Sequence, residues 1–261
     1  MEKITYVTIC SLLISIFGFL SCRDKTNADT TDGIADSIDS KPDTSNVVQK
    51  KVLVERIDTL SMIILYPSFD SIDLVCKDMP SQQDENVLLC AEGAYTGEFL
   101  ETFRHENIAG DHVSVGVRYK GYPCEANTGA FVFYNGQWKF LYKNYSHYLD
   151  SADAYNGCGF AQETLIHQGV KRENMHHNFG SYILRALCER EGKLCIIETS
   201  SKTKMTEFKS KLIELEVSEA LYLDMGVGWN HAWYRINNDS VNVLHLKTHN
   251  YCTNWITFFK R

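Results

Sequence analysis

The chain has 261 residues, 44% of them hydrophobic, and a formal net charge of −7. That acidic balance excludes a broad nucleic-acid surface, so any anion-binding site has to be local. Beyond residue 50 the cysteines Cys76, Cys90, Cys124, Cys158, Cys188, Cys195 and Cys252 are odd in number and lack C-x-x-C spacing, so neither a zinc site nor a complete disulfide set is indicated.

In chain order, Lys3 supplies a positive start and Ile4 to Leu20 an apolar core. Phe19-Leu20-Ser21-Cys22 then resembles a bacterial lipoprotein cleavage box with Cys22 as the lipidated residue. The expectation is a signal peptide over 1–22 and a lipid-anchored protein of the bacterial cell envelope; an ordinary signal peptide or an uncleaved anchor are the alternatives. Residues 23–50 are rich in Asp, Ser and Thr and read as a disordered acidic tether. No later stretch approaches the roughly 18 apolar residues needed to span a bilayer. The remaining 51–261 are long enough for one domain with a proper core.

Alternation and apolar runs predict strands over Val52 to Ile57, Ser61 to Tyr66, Ile72 to Val75, Val87 to Cys90, Val113 to Tyr119 and Ala130 to Tyr134. Asn135-Gly136 turns the last of these into Trp138 to Tyr142. Asn144 to Gly159 reads as a loop, and strands follow over Ala161 to Gln168, Tyr182 to Cys188 and Leu194 to Thr199. Met205, Phe208, Leu212 and Leu215 draw one apolar stripe of a helix capped by Thr203. Ala220 to Leu223, Val241 to Lys247 and Trp255 to Phe259 are the closing strands. A strand, helix, strand order can join parallel neighbours, so the reading is an α+β domain, a mixed β-sheet with few helices.

Two strand ends carry acids. Asp224 ends Ala220 to Leu223 before a turn flexed by Gly226 and Gly228, and Glu92 ends Val87 to Cys90 just before Gly93. Trp229, His231, Trp233, Tyr234 and Arg235 follow Asp224, residue types that hold sugars and anions; a tight turn between strands with the aromatics buried is the alternative. With a turn at Glu191-Gly192, Arg185 faces Glu198 and Cys188 faces Cys195, which permits a disulfide. Either a substrate role or an exposed ion pair suits Arg185 and Glu198. His176-His177, His105, His112, His147 and His249 have no partners at ligand spacing, and no phosphate-binding glycine loop or dinucleotide fingerprint is present, so no metal and no cofactor is expected.

Three separated pieces resemble the phosphodiester glycosidase family, relatives of the mannose 6-phosphate uncovering enzyme. They are Ile183-Leu184-Arg185-Ala186, Glu191-Gly192-Lys193-Leu194 and, after Thr206-Glu207-Phe208, Ala220-Leu221-Tyr222-Leu223-Asp224. Ala91-Glu92-Gly93-Ala94-Tyr95 looks like that family's Asn-Gly-Gly turn, and Asn127 to Phe131 and Ala161 to Leu165 are similar to its intermediate strands. Glu92 and Met225 depart from its pattern.

The resemblance implies a hydrolase cleaving between an anomeric carbon and a phosphate diester. It places Arg185 at the phosphate, Asp224 as nucleophile or general base and Glu92 as the second carboxyl group. Gly93, Glu198, Gly226, Trp229, His231 and Arg235 would bind the carbohydrate or sugar phosphate. The alternative is an inactive lipoprotein of the same fold that binds glycans or sugar phosphates.

Overall fold

A computed structural model of the protein describes residues 51–97, 105, 107–122, 127–173, 180–225, 231–245 and 253–261. The first half holds the hairpin β1 (Val54–Thr59) and β2 (Met62–Pro67), then β3 (Ser71–Cys76) and β4 (Val87–Glu92), and two further hairpins. These are β5 (His112–Ser114) with β6 (Val117–Tyr119) and β7 (Thr128–Tyr134) with β8 (Gln137–Tyr142). Helix α1 (Ser146–Ala154) precedes β9 (Cys158–His167), β10 (Val170–Lys171), β11 (Arg185–Arg190) and β12 (Lys193–Thr199). Helix α2 (Met205–Glu214) leads into β13 (Val217–Leu223), β14 (Ala232–Asn237), β15 (Ser240–Leu244) and β16 (Asn254–Phe259).

The strands form two sheets. The larger runs β1-β2-β12-β11-β13-β9-β5-β6, with β7 and β10 also on β9 and β8 on β7; the smaller runs β15-β14-β4-β16-β3. Neighbouring strands pair antiparallel throughout, and only two helices stand beside sixteen strands among the described residues, so the domain is mainly β and the expected α+β class is corrected. The error came from the α2 connection. β12 and β13 do lie in one sheet and run the same way, but β11 sits between them and pairs antiparallel with each. A crossover constrains the direction of the strands it joins; it leaves open which strand fills the gap between them.

Alternation along the strands sorts the core into layers. Leu187, Leu194, Ile196, Leu221 and Leu223 of the larger sheet share one buried cluster with Leu74, Leu89, Ala91, Ile256 and Phe258 of the smaller, which is the layer between the sheets. The other face of the larger sheet, Ala186, Cys188, Ile197, Ala220 and Tyr222, packs under Met205, Phe208 and Leu212 of α2. Burial of Phe208 and Leu212 contributes about 1.5–3 kcal/mol each to docking that helix. Val87, Cys90, Trp233 and Trp255 form a fourth cluster on the other face of the smaller sheet.

Local differences have local causes. Val113 to Tyr119, expected as one strand, is the β5-β6 hairpin, turned at Val115 (φ 49°) and Gly116 (φ 67°). A β-branched residue at positive φ is rare, so Val115 hides the turn. The loop expected over Asn144 to Gly159 contains α1, whose buried residues are only Leu149 and Ala152. So short a stripe gives a weak periodic signal, and packing against Val113, Ala130 and Val132 supplies the stability instead. Helix α2 is capped by the backbone of Lys204, one residue after the expected Thr203. Cys188 and Cys195 face each other as expected, yet both are free thiols. Burial pushes Cys195 up to about 12, which keeps it an unreactive thiol.

Candidate active site

Arg185, Glu198, Gly93, His231 and Asp224 lie at strand ends that meet at one rim of the two sheets. Because β12 and β13 run the same way and β11 runs against them, Glu198 near the end of β12 pairs with Arg185 at the start of β11, and Arg185 pairs in turn with Leu223 at the end of β13. Asp224 follows Leu223, and its N–H donates to the Gly93 carbonyl oxygen at 2.9 Å. That bond ties the end of β13 to the turn after β4, which begins next to Glu92. Ala91 of β4 pairs with Ala232 of β14, so His231 enters beside the same turn.

Arg185 and Glu198 form a buried ion pair, 0% and 1% exposed. Arg185 Nε donates to Glu198 Oε2 at 2.7 Å, and Nη2 lies 2.5 Å from the same oxygen. The alternative of an exposed cross-strand pair is thereby corrected. Glu198 Oε1 is 2.7 Å from His245 Nε2, and the His245 carbonyl accepts from His231 Nδ1 at 2.5 Å. Arg185, Glu198, His245 and His231 are therefore one chain of contacts that bridges the two sheets. Burial alone would raise the Glu198 carboxyl; Arg185 and His245 outweigh it and hold the group below the usual carboxylate range. Burial lowers the His231 imidazole, which favours the neutral ring.

Asp224 lies on a different face. Its Oδ2 accepts from the Thr96 N–H at 3.2 Å, and it is 7% exposed beside Tyr222, on the side of the larger sheet that carries α2. Tyr95, from the turn after β4, packs on Tyr222 with ring centroids 5.7 Å apart and donates its hydroxyl to Glu163 Oε2 at 2.9 Å. Glu92, the expected second carboxyl group, does not join them. It pairs across the smaller sheet with Trp255 and shares the face of Cys90, whose thiol feels both Glu92 and Arg185. Sequence shows an acid at a strand end; the face it points to depends on a register formed by distant strands.

Gly93 serves packing. A Cβ there would lie 2.7 Å from Asn254 Oδ1, 2.9 Å from Leu74 Cδ1 and 3.3 Å from the Ile256 nitrogen. The Asn254 side chain cannot easily yield, since it accepts from Ala94 N–H at 2.7 Å and donates to the Ala94 carbonyl at 3.0 Å. Gly93→Ala is expected to destabilise the domain by about 1–3 kcal/mol in denaturant titration; a loss under about 0.5 kcal/mol would contradict the crowding.

The remaining expectations divide. Arg235 is 4% exposed and its guanidinium donates to the carbonyls of Val87, Gln82 and Asp84, so it braces the chain entering β4 and is not placed to bind an anion. Trp233 and Tyr234 lie buried in β14, as in the alternative reading of that segment. Gly226, Trp229 and Cys22 lie outside the described residues, as do His176, His177 and His249. His105 and His112, expected to be isolated, come together with Nδ1 and Nε2 2.6 Å apart; among the described residues no cluster of three metal-ligating side chains forms. Sequence reasoning missed Glu163, Tyr95 and His245. A lone acid within the strand predicted over Ala161 to Gln168 was the available signal for Glu163.

No protein-family profile and no curated protein matches this chain. Among solved structures, the zebrafish N-acetylglucosamine-1-phosphodiester alpha-N-acetylglucosaminidase catalytic domain, auto-inhibited by pro-peptide, is similar over 84% of this chain and 85% of its own. Its TM-score is 0.54 at 14% sequence identity. The similarity is one of fold: this chain has the architecture of that phosphodiester glycosidase domain.

Proposed function

We propose that the protein is a hydrolase that cleaves a glycosyl phosphodiester, held at the bacterial cell envelope by a lipid on Cys22 and the acidic tether of 23–50. The observation that carries this reading is the meeting, at one rim of a phosphodiester-glycosidase-like fold, of the Asp224 strand end with the Gly93 turn and the start of β11 at Arg185. The solved relative is an enzyme for an N-acetylglucosamine-1-phosphodiester, so a related sugar phosphate is the substrate class.

The chemistry develops positive charge at the anomeric carbon and negative charge on the departing phosphate. Asp224 is the carboxylate beside the carbon, held in position by Thr96 N–H. Arg185 fixes the rim through Glu198 and does not act as an independent phosphate clamp, since its Nε and Nη2 already meet that carboxylate. The departures at Glu92 and Met225 favour the second reading, a binding protein without turnover.

Incubating the purified full chain with a panel of glycosyl phosphodiesters separates the two. The hydrolase releases free sugar in proportion to protein and time. Sugar-phosphate binding by calorimetry with no sugar released supports the second reading and removes the first.

A further inference from the structure

Hydrolysis at an anomeric centre uses a second carboxyl group beside the first. The face of Asp224 supplies one. Glu163 lies in β9, where the neighbouring Thr164 pairs with Leu221 of β13, so Glu163 falls beside Tyr222. It is 6% exposed. One of its oxygens, Oε2, is fixed by the Tyr95 hydroxyl; the other, Oε1, is buried with no hydrogen-bond partner. A buried carboxylate oxygen left unpaired is costly, and a fold retains one where a ligand or a water completes it.

The surrounding groups suit proton transfer. Tyr95 from the turn after β4, Tyr222 from β13 and Lys209 from α2 each feel Glu163, and both tyrosines also feel Asp224, the residue after β13. Burial, then the two carboxylates, raises both tyrosines, which stay protonated and remain donors. Both hydroxyls feel Asp224 as well as Glu163, so the two acids share one aromatic pair as neighbours. Lys209, whose Nζ donates to the Arg172 carbonyl oxygen, adds a positive charge near Glu163.

We infer that Glu163 is the second carboxyl group of the site, a general base that takes a proton from the attacking water, with Tyr95 as the positioning residue that holds it. The inference rests on the hydrolytic reading above. In the step, the water oxygen forms a bond to the anomeric carbon while the bond from that carbon to the phosphate oxygen breaks. The electron pair leaves on the phosphate, the water proton passes to Glu163 Oε1 and later to solvent, and Asp224 stays ionised beside the carbon.

The test compares wild type, Glu163→Gln and Tyr95→Phe by sugar release across pH, with thermal melting alongside. Glu163→Gln is expected to melt no lower than wild type, because it removes a buried charge. It should nevertheless lose about 100-fold or more in kcat, with KM changed little, and lose the acid limb of the pH–rate profile. Tyr95→Phe should lose less turnover than Glu163→Gln and move that limb to higher pH, since the lost hydroxyl favours the charged carboxylate. If Glu163→Gln does not fold, the Tyr95→Phe profile decides, and an unmoved limb overturns the inference. So does a Glu163→Gln protein that keeps its limb, or Glu92→Gln removing the limb in its place. Wild type releasing no sugar from any substrate is a different failure, that of the hydrolytic reading itself.

Discussion

Replacing Arg185 by alanine is expected to destabilise the domain by about 3–5 kcal/mol, because it leaves the Glu198 carboxylate buried without its cation. Glu198 is 1% exposed, and its remaining contact, His245 at 2.7 Å, cannot fill the space of a guanidinium. The loss is a desolvation effect and does not measure the pair's net worth. Arg185→Met combined with Glu198→Leu should therefore recover most of the stability, since well-packed apolar groups of similar volume commonly equal a buried ion pair. Denaturant unfolding of the three variants reads both outcomes. A single Arg185→Ala loss under about 1 kcal/mol would mean that the pair is hydrated.

The same pair predicts a pH dependence. Its folded carboxyl lies below the ordinary value, so its contribution is fully present above the unfolded value of about 4.3 and is lost as pH falls through the folded one. Glu198→Gln should flatten the acid side of the stability curve. An unchanged acid slope in that variant would assign the effect to other carboxyl groups.

Asp224→Asn is expected to lower sugar release by about 100- to 1000-fold, because an amide keeps the shape and gives up the charge that stabilises the cationic carbon. The fold should scarcely notice. An asparagine carbonyl can still accept the Thr96 N–H that Asp224 Oδ2 takes at 3.2 Å, so unfolding should change by no more than about 1 kcal/mol. This separation of rate from stability is the informative result. A variant with more than about a third of the wild-type rate would remove Asp224 from the chemistry, and one that loses rate and stability together would make it a structural acid.

Much of the strand pattern was legible locally. Asn135-Gly136 and Glu191-Gly192 adopt positive φ as hairpin turns, and the second of these puts Arg185 opposite Glu198 and Cys188 opposite Cys195 by counting residues. The Met205, Phe208 and Leu212 stripe likewise describes α2. Where a turn is made by an unlikely residue, as at Val115, or a helix buries two side chains, as in α1, the local signal is too small and distant packing decides. β14 was hidden differently: Trp233, Tyr234 and Arg235 look like ligand-binding residues until the sheet that buries them is present.

The turns, the alternation of the strands and the pairing of Arg185 with Glu198 are set by neighbours within a few residues, and reading the chain is enough to find them. Which faces meet is another matter. That Glu92 turns toward Trp255, that Glu163 reaches Tyr95 from 68 positions away, and that β11 fills the space between β12 and β13 all follow from contacts between remote strands. A strand carries side chains on two sides with equal ease, and only the packing of the complete sheets selects which side is buried against which partner.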